Sequence, residues 1–237
     1  MKLNFLILIF MMINFKFPSV ESVTIKCNYF LDFFNDYSCT VMNREIFKNQ
    51  RVCIDKVEGK HLNGKTDDDV HGFYINKAKN MKFFPSNINK IFINLKNIVI
   101  IDSNLTEITS EDLKVFPKLK SLYLPKNQIK VIKEDTFSHN PDIEVIYLLS
   151  NEISHIDRKS FSKLEKLKKL TLLDNFCNIQ HFENRNDVLE MVKKIEKGSC
   201  KSDKFKTKIT SSHMKCSSEQ IKINFLLFVI LILPNLF

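Results

Sequence analysis

In the stretch LKSLYLPKNQIKVI, residues 119–132, the apolar positions are Leu119, Leu122, Leu124, Ile129 and Ile132, with Asn127 set among them. The spacing fits neither a helical stripe of period 3.6 nor an alternation of period 2 kept over the whole stretch. The same slots return in IEVIYLLSNEISHI, as Ile143, Ile146, Leu148, Asn151, Ile153 and Ile156. They return again, by an equal step, as Leu167, Leu170, Leu172, Asn175 and Cys177. One step in the other direction stand Leu95, Ile98, Ile100, Leu105 and Ile108, with Ser103 in place of the Asn. A weaker copy, Val70, Phe73, Ile75 and Ala78, lies one step earlier still, lengthened by a single position. The second half of each unit also repeats, as Leu113, Phe137 and Phe161 and as Phe116, Asn140 and Leu164. A fixed period, here roughly 24 residues, predicts a solenoid.

The physics of one unit explains its pattern. The LYL segment is a short strand with Leu122 and Leu124 directed inward and Lys120 and Tyr123 outward. A single unit cannot bury its apolar face, so copies must stack. Asn127 falls where the chain leaves the strand, and its amide can bond backbone groups that the turn leaves unpaired. Stacked copies would make a ladder of such bonds, which a leucine could not supply. The ends of a stack expose core and need caps. Residues 23–69 hold three β-type runs, VTIKCNYF, YSCTVM and RVCIDKV, and are predicted to form a disulfide-tied β cap ahead of the repeats at 70–176. Residues 177–200 predict a helical cap, with Val188, Met191, Val192 and Ile195 on one face and Asn184 or Asn186 at its start.

The pattern L-x-x-L-x-L-x-x-N-x-L resembles that of the leucine-rich repeat, in three good copies and two degraded ones. The segment CNYFLDFFNDYSCTV, followed by VEGKHLNGKTDDDV and the repeats, resembles small secreted leucine-rich repeat proteins of dipteran insects. The resemblance covers about residues 23–200. It implies an α/β solenoid: a right-handed coil with a parallel concave β-sheet, an N-terminal β cap and a C-terminal helical cap. Mosquito leucine-rich immune proteins are a broader relative whose C-terminal coiled-coil region this chain lacks.

The two ends of the chain bear on its location. Lys2, the apolar run Phe5 to Ile13, and Val20 with Ser22 in small-residue positions predict a signal peptide over 1–22. A polar linker, 201–218, precedes a hydrophobic tail, 219–237, whose apolar run from Phe225 to Leu233 is too short to span a bilayer. Three readings of the tail stay open: a signal exchanged for a lipid anchor, plain secretion, or membrane association by the intact segment. The expected location is therefore secreted, or lipid-anchored on the outer face of the plasma membrane. Six cysteines in a secreted chain read as disulfides. Cys27 and Cys39 share an N-terminal segment, and Cys177 and Cys200 flank a C-terminal one; Cys53 and Cys216 either pair with each other or stay free. The net charge of +9 is spread through the chain with acids interleaved, which reads as a solvated surface rather than a nucleic-acid patch.

Little in the chain points to catalysis, and no enzyme activity or cofactor is expected. Residues 59–66, GKHLNGKT, match the phosphate-cradling pattern through Gly59, Gly64, Lys65 and Thr66. Asp67, Asp68 and Asp69 follow at once, and three carboxylates at that helix start would repel phosphate. His61, His71 and the Asp triplet lack any strong metal spacing, so no metal is expected. Asn104-Leu105-Thr106 is the one glycosylation acceptor.

The outward strand positions are more informative. One column runs Val99, Tyr123, Tyr147, Thr171, and its neighbour runs Ile101, Pro125, Leu149, Leu173. Lys96, Lys120, Glu144 and Lys168 rim one side, and Asp102, Lys126, Ser150 and Asp174 the other. An outward strip this apolar is expected to bind a protein or glycoconjugate, with Val99, Ile101, Tyr123, Pro125, Lys126, Tyr147, Leu149, Thr171 and Leu173 in contact. The competing expectation is a spacer protein whose strip is covered, by a cap or by a second copy in a homodimer. Five rungs at about 4.8 Å make a sheet only about 24 Å long, short of the roughly 800 Å² per partner of a standard interface.

Overall fold

The computed structural model describes residues 21–177, 181–182, 184–198 and 200. The run Phe5 to Ile13, Cys216, the linker and the tail lie outside the described residues. Three strands open the chain: β1 (Glu21–Leu31), β2 (Tyr37–Val41) and β3 (Val52–Glu58). The first repeats follow with β4 (Gly72–Asn76), the one-turn helix α1 (Ile88–Ile91), β5 (Asn97–Ile101), the one-turn helix α2 (Ser110–Leu113) and β6 (Ser121–Tyr123). Then come β7 (Val131–Ile132), β8 (Val145–Tyr147), β9 (His155–Ile156), β10 (Lys169–Thr171), β11 (His181–Phe182) and helix α3 (Arg185–Glu196). Glu21 and Ser22 are the first residues of β1 and pair with Val52 and Cys53.

Nine strands form one sheet in the order β11-β10-β8-β6-β5-β4-β2-β1-β3. Every neighbouring pair from β2 through β10 is parallel, while β1–β2 and β10–β11 are antiparallel. The register is the sequence period made visible: Ile98 lies opposite Leu122, Leu122 opposite Ile146, and Ile146 opposite Leu170. These side chains, with Leu124, Leu148 and Leu172, are fully buried in one continuous interior. On the far side of the coil β7 and β9 pair in parallel, and the Phe137 and Phe161 rings stack at 5.5 Å. The weak copy at 70–78 is a genuine rung, for Phe73 pairs with Ile98 and Ile75 with Ile100.

The asparagine ladder forms as its spacing predicts. Asn127 Oδ1 accepts from the backbone N–H groups of Ser103 and Leu105, each at 3.1 Å, one coil back. Its Nδ2 donates to the carbonyls of Ile100 (2.7 Å) and Leu124 (3.1 Å). Asn151 and Asn175 repeat the arrangement toward Ile129 and Ile153. Ser103 holds a shorter version, accepting from Ala78 N and donating to Ile101 O. A second ladder residue stands on the far side, where Asn140 donates to the carbonyls of Leu113 and Phe116. Directly before each ladder position the chain turns through left-handed backbone, with φ of 60° at Lys77, 51° at Asp102, 56° at Lys126, 53° at Ser150 and 54° at Asp174.

Both caps are tied covalently. A disulfide joins Cys27 to Cys39 across β1 and β2, and another joins Cys177 to Cys200 across α3, with Cα separations of 5.3 and 5.2 Å. Cys53 is disulfide-bonded as well. Helix α3 is capped by Asn184, which accepts from Asp187 N at 3.0 Å, and it buries Val188, Met191 and Ile195. The N-terminal cap is also locked to the second repeat by Arg51. Its guanidinium bonds Glu107 at 2.8 Å and lies 4.6 Å from the centre of the Phe83 ring.

Candidate functional site

The site begins at a turn. Residues 32–36 join β1 to β2, with Asn35 left-handed (φ 60°) and Asp32 holding the loop from inside. Asp32 Oδ1 accepts from the backbone N–H groups of Phe34 (2.9 Å) and Asp36 (3.0 Å), the side-chain-to-backbone bonding that aspartate brings to turns. Its other oxygen accepts from the Ser38 hydroxyl (2.9 Å) and from the Tyr74 phenol (2.7 Å) on β4. Asp36 takes a hydrogen bond from Asn97 Nδ2 (2.8 Å) on β5 and lies 3.1 Å from His71 Nδ1. Glycine at position 72 lets the turn sit down, since a Cβ there would come within 2.1 Å of Ser38 Oγ and 3.0 Å of Asp32 Oδ2. The turn therefore lies across β4 and β5 as a ledge on the concave face, with the Phe34 ring reaching to 6.1 Å from that of Tyr123.

This ledge divides the predicted strip. Val99 is only 6% exposed, and Thr171, beside β11 at the other end, only 2%. Both were expected in the contact surface, and neither is available to a partner as the chain stands. Val99 lies on the strand that the turn crosses; Thr171 pairs with His181. Between them Tyr123 and Tyr147 occupy neighbouring rungs on β6 and β8. Tyr123 and Tyr147 stack with ring centroids 4.7 Å apart and 15° between planes, each half-buried. Burial and then the neighbouring Tyr147 push the Tyr123 phenol up to about 12. Burial, and next the bond to Asp32, raise Tyr74 further. Ile101, Pro125 and Leu149 are partly exposed, and Leu173 and Lys126 are exposed.

Two groups of site residues were not read from the sequence. The column Asn97, Ser121, Val145, Lys169 is in register across β5, β6, β8 and β10, with Asn97 and Ser121 buried and Val145 and Lys169 partly exposed. The period-2 alternation that places Tyr123 outward places Ser121 outward with it. The second group is the turn tip, where Phe33 is 101% exposed and Phe34 51%. Its signal was available in LDFFND, because two phenylalanines in a hairpin turn are out of place where polar residues are the rule.

The other candidates resolve into structure. The GKHLNGKT loop packs on the cap: the His61 ring stacks on Tyr29 at 4.0 Å, its Nδ1 lies 3.1 Å from the Tyr37 hydroxyl, and its Nε2 3.2 Å from Asp67. Lys65 lies 5.0 Å from the centre of the Tyr37 ring. Asp67–Asp69 is a single 3-10 turn closed by a Thr66–Asp69 capping box, with no helix to receive a phosphate. Among the described residues, no cluster of three or more His, Cys, Asp or Glu has metal-holding geometry. Asn104 stands at the corner after β5, left-handed at φ 61° and partly exposed, its Nδ2 donating to the Lys79 carbonyl.

A family model described as leucine rich repeat matches residues 117–175, the span that carries Asn127, Asn151 and Asn175. A leucine-rich repeat protein of Leptospira interrogans is similar in structure, at 16% identity and a TM-score of 0.36 over 54% of this chain. The match spans about a third of that protein's length, 36%. No curated protein is significantly similar in sequence. Such repeats typically serve as non-catalytic scaffolds for binding protein. The described chain is a leucine-rich repeat solenoid closed by a β cap at its N-terminal end and by a helix at its C-terminal end.

Proposed function

We propose that the chain is an extracellular binding protein that engages a protein or glycoconjugate partner through the open half of its concave face, in signalling, innate recognition or adhesion. One observation carries the reading: the stacked pair Tyr123 and Tyr147 lies partly open beside the ledge, held by a rigid sheet. Rigid aromatic side chains contribute large contact area and lose little entropy on docking, so they make effective anchors. The apolar leader run, the disulfides at Cys27–Cys39 and Cys177–Cys200, and the cap's resemblance to small secreted insect proteins support the extracellular setting. The apolar tail supports attachment to the outer membrane face through a lipid anchor.

The test is crosslinking of the secreted chain to cells, with wild type and a Tyr123→Ala, Tyr147→Ala variant side by side. The wild type is expected to form adducts that the variant loses. Equal adducts would move the site off the strip. A concentration series in sedimentation velocity decides the spacer alternative, because a stable homodimer that the double variant dissociates would replace this reading.

A further inference from the structure

The open half of the concave face carries a charge pattern as definite as its aromatic one. Lys120 stands on the rim before β6, Lys169 projects from the second outward column, and Lys126 marks the corner after β6. Lys168 is held by Glu144 at 2.6 Å, and Asp102 by Lys79. Lys120, Lys126 and Lys169 have no carboxylate within ion-pairing distance among the described residues. The hydrogen bonds from Lys168 and Lys79 hold Glu144 and Asp102 below their usual values, with Lys120 and Lys126 adding a smaller effect at range. The acids of the ledge lie over the covered end: Asp32 takes four hydrogen bonds inside the turn and from Tyr74 on β4, and Asp36 faces Asn97 on β5 and His71. The result is a step, with Phe34 as its riser and the Tyr123–Tyr147 stack as its tread, set among Lys120, Lys126 and Lys169, with one exposed acid, Asp174, at its far corner.

We infer that the partner surface is an acidic polypeptide segment that seats an apolar or aromatic side chain against Phe34, Tyr123 and Tyr147 while its carboxylates meet Lys120, Lys126 and Lys169. The inference rests on the binding reading above and narrows its partner. Two features of the site favour this occupant. Complementary potential steers encounter and suppresses wrong partners, so a lysine-rimmed strip selects an acidic one. A second copy is less favoured, because its face carries the same excess of lysine over acid. The exposed Phe33 at the turn tip widens the apolar contact beyond what the short sheet alone offers.

A randomised dodecapeptide display library selected on the full secreted chain tests this. Enriched sequences are expected to be net acidic with one or two large apolar residues. Rebinding them should be at least tenfold weaker to Phe34→Ala, Tyr147→Ala, and tenfold weaker to Lys120→Glu, Lys169→Glu. Raising salt from 50 to 300 mM should weaken binding severalfold, since exposed charge is screened over about 10 Å at 0.1 M. Neutral or basic winners that the aromatic variant loses would keep the site and overturn the acidic partner. Winners bound equally by both variants would overturn the site itself. No enrichment, with retention on phosphatidylserine vesicles that Phe33→Asp abolishes, would assign the tip to a lipid surface and end the inference; no enrichment without vesicle binding also rejects it. Circular dichroism of each variant, unchanged from wild type, accompanies the comparison.

Discussion

At the β4–β5 end of the concave face, Tyr74 and Val99 lie under the β1–β2 turn; at the β6–β8 end, Tyr123 and Tyr147 hold the same slots with solvent on one side. The four residues share one register and one outward orientation. Their difference comes from the cap and not from the repeat. Covering the first end takes two carboxylates, a buried serine and a glycine at position 72. None of these is provided further along, where the equivalents of Gly72 are Asn97, Ser121, Val145 and Lys169. A solenoid therefore need not offer its whole concave face, because a cap can choose which rungs stay open.

The interior below both ends should respond differently, since the ladder residue differs. Asn151→Leu leaves Ile129 N–H without its acceptor and takes one amide donor each from the Leu124 and Leu148 carbonyls, which keep Asn127 and Asn175. At about 1–3 kcal/mol for the N–H left unpaired and about 1 kcal/mol for each carbonyl bond lost, the loss is about 4 kcal/mol. Ser103→Ala removes one acceptor and one donor and should cost about 1 kcal/mol. Urea unfolding of the two variants measures the contrast, and equal losses would mean the rungs are not stabilised by these amides.

Lifting the ledge comes next in size. Asp32→Ala removes the acceptor of four hydrogen bonds, and Gly72→Ala forces a Cβ into Ser38; each is expected to cost about 3 kcal/mol. The more specific outcome is local. Hydroxyl-radical labelling of Tyr74 should rise in either variant while labelling of Tyr147 stays constant. A parallel rise at both tyrosines would show that the ends are not independent.

Alkaline titration separates the ends without mutation. Tyr123, raised to about 12, and Tyr74, raised further, keep their protons in the folded chain above the ordinary value of 10. A raised folded pKa contributes stability that is whole below pH 10 and is lost as pH climbs through the folded value. Tyrosinate absorbance at 295 nm should therefore lag in the native protein relative to the unfolded one, and urea midpoints should fall between pH 9 and 11.5. In Asp32→Ala the Tyr74 component should move down while that of Tyr123 stays. Superimposable native and unfolded titrations would refute the burial of both.

The coil was legible in the sequence because it is a local rule repeated. Leu122, Leu124 and Asn127 state where the strand, the core and the turn lie, and each copy restates them one period on. The helix α3 was legible for a similar reason, since Val188, Met191 and Ile195 declare a face and Asn184 or Asn186 a start, of which the structure uses Asn184. The ledge was not, because it depends on contacts between residues far apart along the chain, such as Ser38 beneath a missing Cβ at Gly72, or Asp36 against Asn97. No periodicity reports such a meeting. What the sequence did carry was an anomaly: two phenylalanines in a turn, and a glycine where other rungs have side chains. Val99 and Thr171 were misplaced because the alternation tells which way a residue points, and says nothing of what lies over it.

The smallest effect tests whether the two ends share one corner. Lys77 and Ser150 both stand in left-handed backbone, at φ 60° and 53°, one at the covered end and one at the open end. For an L-residue that conformation costs about 1–2 kcal/mol, and glycine escapes the cost while giving back about 0.5–1 kcal/mol in unfolded-state entropy. Lys77→Gly and Ser150→Gly are each expected to stabilise by about 0.5 kcal/mol; the exchange at 150 also loses the 3.2 Å hydroxyl bond to Asp174, which tempers its gain. Lys77→Val should destabilise by more than either gain, because a β-branched side chain is least tolerant of positive φ. The backbone bonds of the corner, Lys77 N to Ile101 O and Ser150 N to Leu173 O, survive all three changes, so conformation alone is probed. If chemical denaturation gives gains of one sign and similar size at both corners, the repeat is the same object along its length, and the difference between its ends belongs to the cap. Opposite signs would place part of that difference in the coil.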